Sequence, residues 1–129
     1  MKNKILVIED NEQNMYLVTY ILERYDFKVI QALNGADGVT LARENLPDMI
    51  LLDIQLPEMD GYSVAREIRK INALQKTPVI AITSYAMPGD REQAIKAGCS
   101  GYIEKPINPD TFILQIREYL ESDSRGEVI

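Results

Sequence analysis

Five short apolar runs recur along the chain, and a longer segment with helical spacing follows each one. The runs are Ile5-Leu6-Val7-Ile8, Phe27 to Ala32, Met49-Ile50-Leu51-Leu52, Val79-Ile80-Ala81-Ile82 and Tyr102-Ile103. Most are near-continuous and rich in β-branched residues, as strands covered on both faces must be. Between them, Met15, Val18, Ile21 and Leu22 form a helical stripe, with Asn11 as its N-cap. Asn34-Gly35 breaks the chain, and Val39 and Ala42 then mark a second helix that ends near Asn45. Val64, Ile68 and Ile71 outline a third helix. Ala94, Ile95 and Ala97 outline a fourth, which Gly98 stops as a left-handed C-cap. Phe112, Ile113, Ile116 and Leu120 belong to a fifth, with Asn108 as cap and Pro109 at the first helical position. Pro47 and Pro78 introduce the third and fourth strands. The periodicity lapses from Ser122, so one domain over 1–121 and a flexible tail over 122–129 are expected.

Strict strand–helix alternation predicts an α/β fold: an open parallel sheet with right-handed crossovers and helices on both faces. The five-stranded form is the doubly wound, flavodoxin-like (βα)5 arrangement with strand order 2-1-3-4-5. Ligands in such folds lie beyond the carboxyl ends of the strands, at the switch point between strands one and three. Those two strands lead to Glu9-Asp10 and to Asp53. The fourth ends in Thr83 and the fifth in Glu104-Lys105, so acids, a hydroxyl and an ammonium group gather at one edge.

Composition narrows the chemistry. A chain of 129 residues with 46% hydrophobic content supports one ordinary core, and one cysteine, Cys99, excludes an internal disulfide. The net charge of −6 argues against nucleic acid and anionic membrane as partners. No apolar stretch approaches the roughly 20 residues of a membrane span, and the start of the chain turns acidic at once, so a cytoplasmic location is expected. Histidine is absent, which removes Ser-His-Asp and Cys-His nucleophiles and histidine metal sites. Carboxylate, hydroxyl and lysine chemistry remains.

Two carboxylates ~4 Å apart repel by about 4 kcal/mol at an effective dielectric near 20. A cluster of Glu9, Asp10 and Asp53 therefore holds a proton or binds a cation. Magnesium suits it best, with manganese as an alternative, because hard ions take carboxylates and retain water. A carboxylate beside such an ion is placed to act as a nucleophile and form an aspartyl phosphate. Lys105 and the metal would then offset phosphoryl charge while Thr83 donates a hydrogen bond. Lys105 precedes Pro106, a pair able to hold a cis bond.

The segments Val7-Ile8-Glu9-Asp10-Asn11, Asp53 to Gly61, Ile82-Thr83-Ser84 and Tyr102-Ile103-Glu104-Lys105-Pro106 closely resemble the receiver domain of bacterial response regulators, the CheY-like superfamily. The resemblance covers about residues 3 to 121. It implies that Asp53 is the phospho-acceptor, Asp10 the main metal carboxylate and Glu9 a second acid acting directly or through water. It further implies that the backbone carbonyl of Gln55 completes the metal's protein ligands, that Thr83 and Lys105 contact the phosphoryl group, and that Tyr102 is an aromatic switch. Glu9 stands where many members have aspartate. Thr83 to Asp90 resembles a narrower group, hybrid-kinase receivers and stand-alone cell-cycle regulators of the DivK type, and the stand-alone form is the one expected.

The resemblance implies a phosphoryl donor that is a histidine kinase or a histidine phosphotransfer protein, a downstream protein target, and a monomer or weak dimer. Self-phosphorylation and self-dephosphorylation are the only turnover expected. A magnesium phosphohydrolase with an aspartate nucleophile is the rival enzyme. It would carry a second acid two residues after the nucleophile, where this chain has Gln55, which also favours a phosphoryl group that persists. A flavodoxin-like cofactor binder would need a phosphate loop in place of Glu9-Asp10-Asn11-Glu12. A receiver degraded to a docking module would lack some of these chemical residues. Tyr16 and Tyr20 are candidates for a kinase-docking surface, Cys99 for simple packing, and Asp90, Arg91 and Glu92 for a solvated face.

Overall fold

Alternation along each strand divides the core into two layers, one on either face of the sheet. In the computed structural model, which describes residues 3–57, 59–83 and 88–128 with side chains as far as Glu121, the elements follow the expected order. They are β1 (Lys4–Ile8), α1 (Glu12–Arg24), β2 (Lys28–Ala32), α2 (Gly35–Asn45), β3 (Met49–Asp53), α3 (Gly61–Arg69), β4 (Val79–Thr83), α4 (Asp90–Ala97), β5 (Gly101–Glu104) and α5 (Pro109–Val128). A 3-10 turn, Asn72–Leu74, leads into β4. All pairings are parallel, in the order β2-β1-β3-β4-β5. Glu58, Ser84, Tyr85, Ala86 and Met87, which carry part of the motif resemblance, lie outside the described residues.

Ile5, Val7, Met49, Leu51, Ile80, Ile82 and Ile103 face one layer, with Met15, Val18 and Leu22 of α1 and Phe112, Ile113 and Ile116 of α5. Leu6, Ile8, Ile50, Leu52, Val79 and Ala81 face the other, with Ala42, Val64, Ile68, Ala94 and Ala97 of α2 to α4. This is the period-2 rule applied to a sheet with both faces covered. At about 25 cal/mol per Å² of apolar surface, each buried Leu or Ile stabilises the fold by about 1.5–3 kcal/mol.

Local chemistry sets the element ends. The Asn11, Asn34 and Asp60 side chains accept from Asn14, Asp37 and Ser63 N–H groups at 2.9, 2.8 and 2.9 Å, capping α1, α2 and α3. Gly98 ends α4 at φ 110, a conformation that only glycine adopts without strain. Some expectations shift. Ile95 is 57% exposed, so it faces solvent and the buried positions of α4 are Ala94 and Ala97. Ile71 lies past α3, at the entry to the 3-10 turn, because Lys70 already closes the helix. Helix α2 buries Gly35, Gly38 and Ala42, letting Val64 and Ile8 pack directly onto its backbone. Helical backbone in α5 extends to Val128, past Ser122 where the apolar periodicity lapses; an established helix needs only one hydrogen bond per added residue.

Candidate functional site

Parallel register brings the strand ends together. Ile8 pairs with Leu52, so the next step along both strands places Glu9 beside Asp53. Asp53 pairs with Ile82 and Thr83 with Glu104, so β4 and β5 deliver their polar ends to the same edge. The last ladder bonds fix these ends: Glu9 N–H to Ala32 at 3.0 Å, Ile54 N–H to Ile82 at 3.1 Å and Lys105 N–H to Thr83 at 2.7 Å. Residue parity then sorts the side chains. Glu9, Asp53 and Lys105 continue the face that packs on α1 and α5, whereas Tyr102 packs toward the opposite layer.

The carboxylates of Glu9, Asp10 and Asp53 each place an oxygen within 4.8 Å of the others. Glu9 and Asp53 are buried, while Asp10 is exposed and opens the cluster to solvent. Lys105 Nζ lies 2.9 Å from Glu9 Oε1 and 3.9 Å from Asp53 Oδ2. The remaining oxygens are engaged by backbone, with Asn11 N–H donating to Glu9 Oε2 at 3.2 Å and Gln55 N–H to Asp53 Oδ1 at 2.9 Å. Burial pushes the Glu9 carboxyl above its ordinary value, and the neighbouring Asp53 charge adds to that, while the Lys105 ammonium and the Asn11 N–H act the other way. Hard carboxylate oxygens at this spacing, open on one side, fit a magnesium-type ion that keeps part of its water shell. Glu9, Asp10 and Asp53 are the side chains that would hold it.

Thr83 is buried at the end of β4. The Tyr102 hydroxyl is buried beside Thr83 without a hydrogen bond of standard geometry. Burial raises the Tyr102 phenol above its ordinary range, and the Asp90 and Glu104 charges reinforce the shift. The Lys105–Pro106 bond is cis. Cys99 is buried, and desolvation pushes its thiol up to about 11, consistent with packing alone. Tyr16 and Tyr20 are exposed and stacked on α1, with ring centroids 6.3 Å apart.

Three features escape a reading of the sequence. Glu9, rather than Asp53, is the near partner of Lys105. Gly61 lies against the end of β3, where an added Cβ would stand 2.6 Å from Ile54 Cα and 2.8 Å from the Asp53 carbonyl oxygen. Its place straight after the capping Asp60 is the signal that a close approach was required. Arg69 binds the carbonyls of Gly98, Leu74 and Thr77 at 2.8, 2.7 and 2.7 Å and Ser100 Oγ at 3.1 Å, tying the opposite edge of the sheet together. Nothing in its sequence context marks that role.

Comparisons with known proteins agree with this geometry. The model of the response regulator receiver domain matches residues 5–117. The polar-differentiation response regulator DivK of Brucella anthropi is 42% identical over 120 residues, spanning 93% of this chain and 98% of that protein. Its counterpart in Brucella ovis shows the same identity and coverage. A CheY-like receiver domain protein from Methanospirillum hungatei superposes with a TM-score of 0.90 at 25% identity, covering 98% of this chain and 99% of that one. The receiver domain of a sensor histidine kinase from Pseudomonas aeruginosa, crystallised with magnesium coordinated in its active site cleft, superposes with a TM-score of 0.87 at 32% identity, covering 94% and 99%. Among the described residues no helix is long and apolar enough to cross a membrane. With its five-stranded order, its acidic edge and a DivK-like sequence over most of its length, the chain belongs to the response regulator receiver domain family of two-component signalling proteins.

Proposed function

We propose that this chain is a single-domain response regulator that takes a phosphoryl group onto Asp53 and relays it as a change in protein contacts. One observation carries the reading: a buried Asp53 carboxylate clustered with Glu9 and Asp10 and lying 3.9 Å from the Lys105 ammonium. The donor is a histidine kinase or a histidine phosphotransfer protein. An Asp53 oxygen attacks phosphorus, the phosphorus–nitrogen bond of the phosphohistidine breaks, and the imidazole keeps the electron pair. Glu9, Asp10, Asp53 and the backbone carbonyl of Gln55 hold the magnesium ion, for which manganese can substitute. When bound, the ion supplies positive charge against the phosphoryl oxygens. Lys105 offsets charge on the same group, and the Thr83 hydroxyl donates to it. The half-buried Tyr102 ring reports this to the face built by α4, β5 and α5, where a downstream protein binds. To move that face from 1:99 to 99:1, phosphorylation must favour the active form by about 5.5 kcal/mol.

The stand-alone form is favoured because DivK is matched over nearly its whole length at higher identity than the kinase-borne receiver. Net charge −6 and the expected cytoplasmic setting leave nucleic acid and membrane outside the proposed partners, and the protein works as a monomer or weak dimer. Turnover is limited to self-phosphorylation and self-dephosphorylation. The test is incubation with magnesium and acetyl phosphate, followed by intact mass and hydroxylamine treatment. A hydroxylamine-labile phosphoryl adduct that Asp53→Asn abolishes is the expected result. No adduct on the natural protein, or an undiminished one on the variant, overturns the reading.

A further inference from the structure

We propose that Arg69 pins the C-terminal end of α4, so that the helix answers phosphorylation as a lever whose N-terminal end moves while Gly98 stays in place. The proposal rests on the reading of Asp53 as the phospho-acceptor and adds to it the point about which α4 turns. Both ends of α4 carry a glycine at positive φ, Gly89 at 89° and Gly98 at 110°, but their surroundings differ. Among the described residues, a Cβ at Gly89 would meet nothing within 4 Å, whereas one at Gly98 would stand 2.6 Å from Arg69 Cγ. Gly89, Arg91, Glu92 and Gln93 are exposed, while the buried positions, Ala94, Ala97 and Cys99, all fall in or after the second half of the helix.

Arg69 donates from Nε to the Gly98 carbonyl at 2.8 Å and from one terminal nitrogen to Ser100 Oγ at 3.1 Å. Its other terminal nitrogen holds the Leu74 and Thr77 carbonyls at 2.7 Å each. Backbone bonds complete the clamp: Gly98 N–H to Ile95 at 3.0 Å, Cys99 N–H to Ala94 at 2.9 Å and Ser100 N–H to Val79 at 2.7 Å. The freedom that glycine offers is therefore used up at Gly98 and remains at Gly89. Internal hydrogen bonds keep a helix straight, so a push at one end becomes a tilt about the better-held end. Eight residues span about 12 Å, and a tilt of ~10° then carries the exposed end by about 2 Å. That end lies within electrostatic range of the switch ring: after burial, the Asp90 carboxylate is the next influence raising both the Tyr62 and Tyr102 phenols. Arg69 is thus a positioning residue, on the opposite edge from the acidic cluster, that decides which part of α4 changes for a downstream partner.

Amide NMR on the full chain tests this, before and after phosphorylation with magnesium and acetyl phosphate, on the natural protein and Arg69→Lys. In the natural protein the shift changes at Arg91, Glu92 and Gln93 should exceed those at Gly98, Cys99 and Ser100 about threefold. Distance from Asp53 alone would give a similar gradient, and the variant separates the two causes. With the planar fork lost, the changes at Gly98, Cys99 and Ser100 should rise about twofold, while intact mass shows the same adduct. A role for Arg69 confined to stability would leave the gradient as it was, and that outcome overturns the proposal. Comparable changes at both ends of α4 in the natural protein overturn it without recourse to any variant. Ser100→Ala removes a single Arg69 acceptor and should flatten the gradient less, which keeps the test open if Arg69→Lys folds poorly; no flattening there counts against the clamp. An adduct on Asp53 without a gradient sinks the lever alone, and no adduct sinks the reading beneath it.

Discussion

The two edges of the sheet each hold a cation, and they use it in opposite ways. At the amino edge Arg69 faces neutral carbonyls of Gly98, Leu74 and Thr77 and the Ser100 hydroxyl, a planar donor fork matched to several acceptors. None of those partners has any use for a different ion. At the carboxyl edge Lys105 faces carboxylates that repel one another and is within hydrogen-bond distance of just one of them, Glu9. A point charge among anions can be traded for another cation; a fork among carbonyls cannot. The first edge is built to stay, and the second to change.

That contrast is open to measurement. Arg69→Met should cost about 2 kcal/mol in urea unfolding, with or without magnesium, because several part-buried carbonyls lose a charged donor. Arg69→Lys should recover less than half of it, since an ammonium cannot serve the same fork. Lys105→Met should cost about 2 kcal/mol in metal-free buffer, and saturating magnesium should erase most of the loss. If both substitutions respond alike to magnesium, the division between the edges is wrong.

Gly61→Ala sharpens the comparison from the other side. The new methyl meets the β3 backbone at Ile54 and Asp53, and should cost about 1 to 2 kcal/mol while slowing phosphoryl uptake from acetyl phosphate. A stability loss with unchanged uptake would mean that Asp53 tolerates movement of its strand end. The smallest effect concerns pH. Glu9 titrates above its ordinary 4.5 in the folded protein, so from pH 4.5 upward the folded state binds more protons than the unfolded one. Its contribution to stability therefore falls as pH rises through the window between the unfolded and folded pKa values. Denaturation of the metal-free natural protein should show that fall against Glu9→Gln, and magnesium should remove it.

Much of this was legible in the sequence for a simple reason. Strands covered on both faces must be apolar throughout, so a carboxylate such as Asp53 marks a strand end without ambiguity. Asn11 and Asn108 were equally readable, because capping depends on a side chain and its near neighbours; Asn108 accepts from Asp110 N–H at 3.0 Å. Properties set by distant chain were not readable. Ile95 counts toward an apolar stripe, yet whether anything covers it depends on the neighbouring elements, and among the described residues it stays 57% exposed. Arg69 reaches carbonyls, which every residue possesses, so no pattern of residue types points to it. The site shows the same limit: its members could be named from the strand ends, but the choice of Glu9 over Asp53 as the Lys105 partner is a matter of about one ångström and one methylene.

The most direct measurement of the central claim is chemical mapping of the phosphorylated residue. After incubation with magnesium and acetyl phosphate, borohydride converts an aspartyl phosphate to homoserine, which peptide mass spectrometry locates. Homoserine at position 53, dependent on magnesium, is the predicted result. Homoserine at Asp10 or elsewhere with position 53 unmodified, or modification of Asp53 that proceeds equally without a divalent ion, would contradict it.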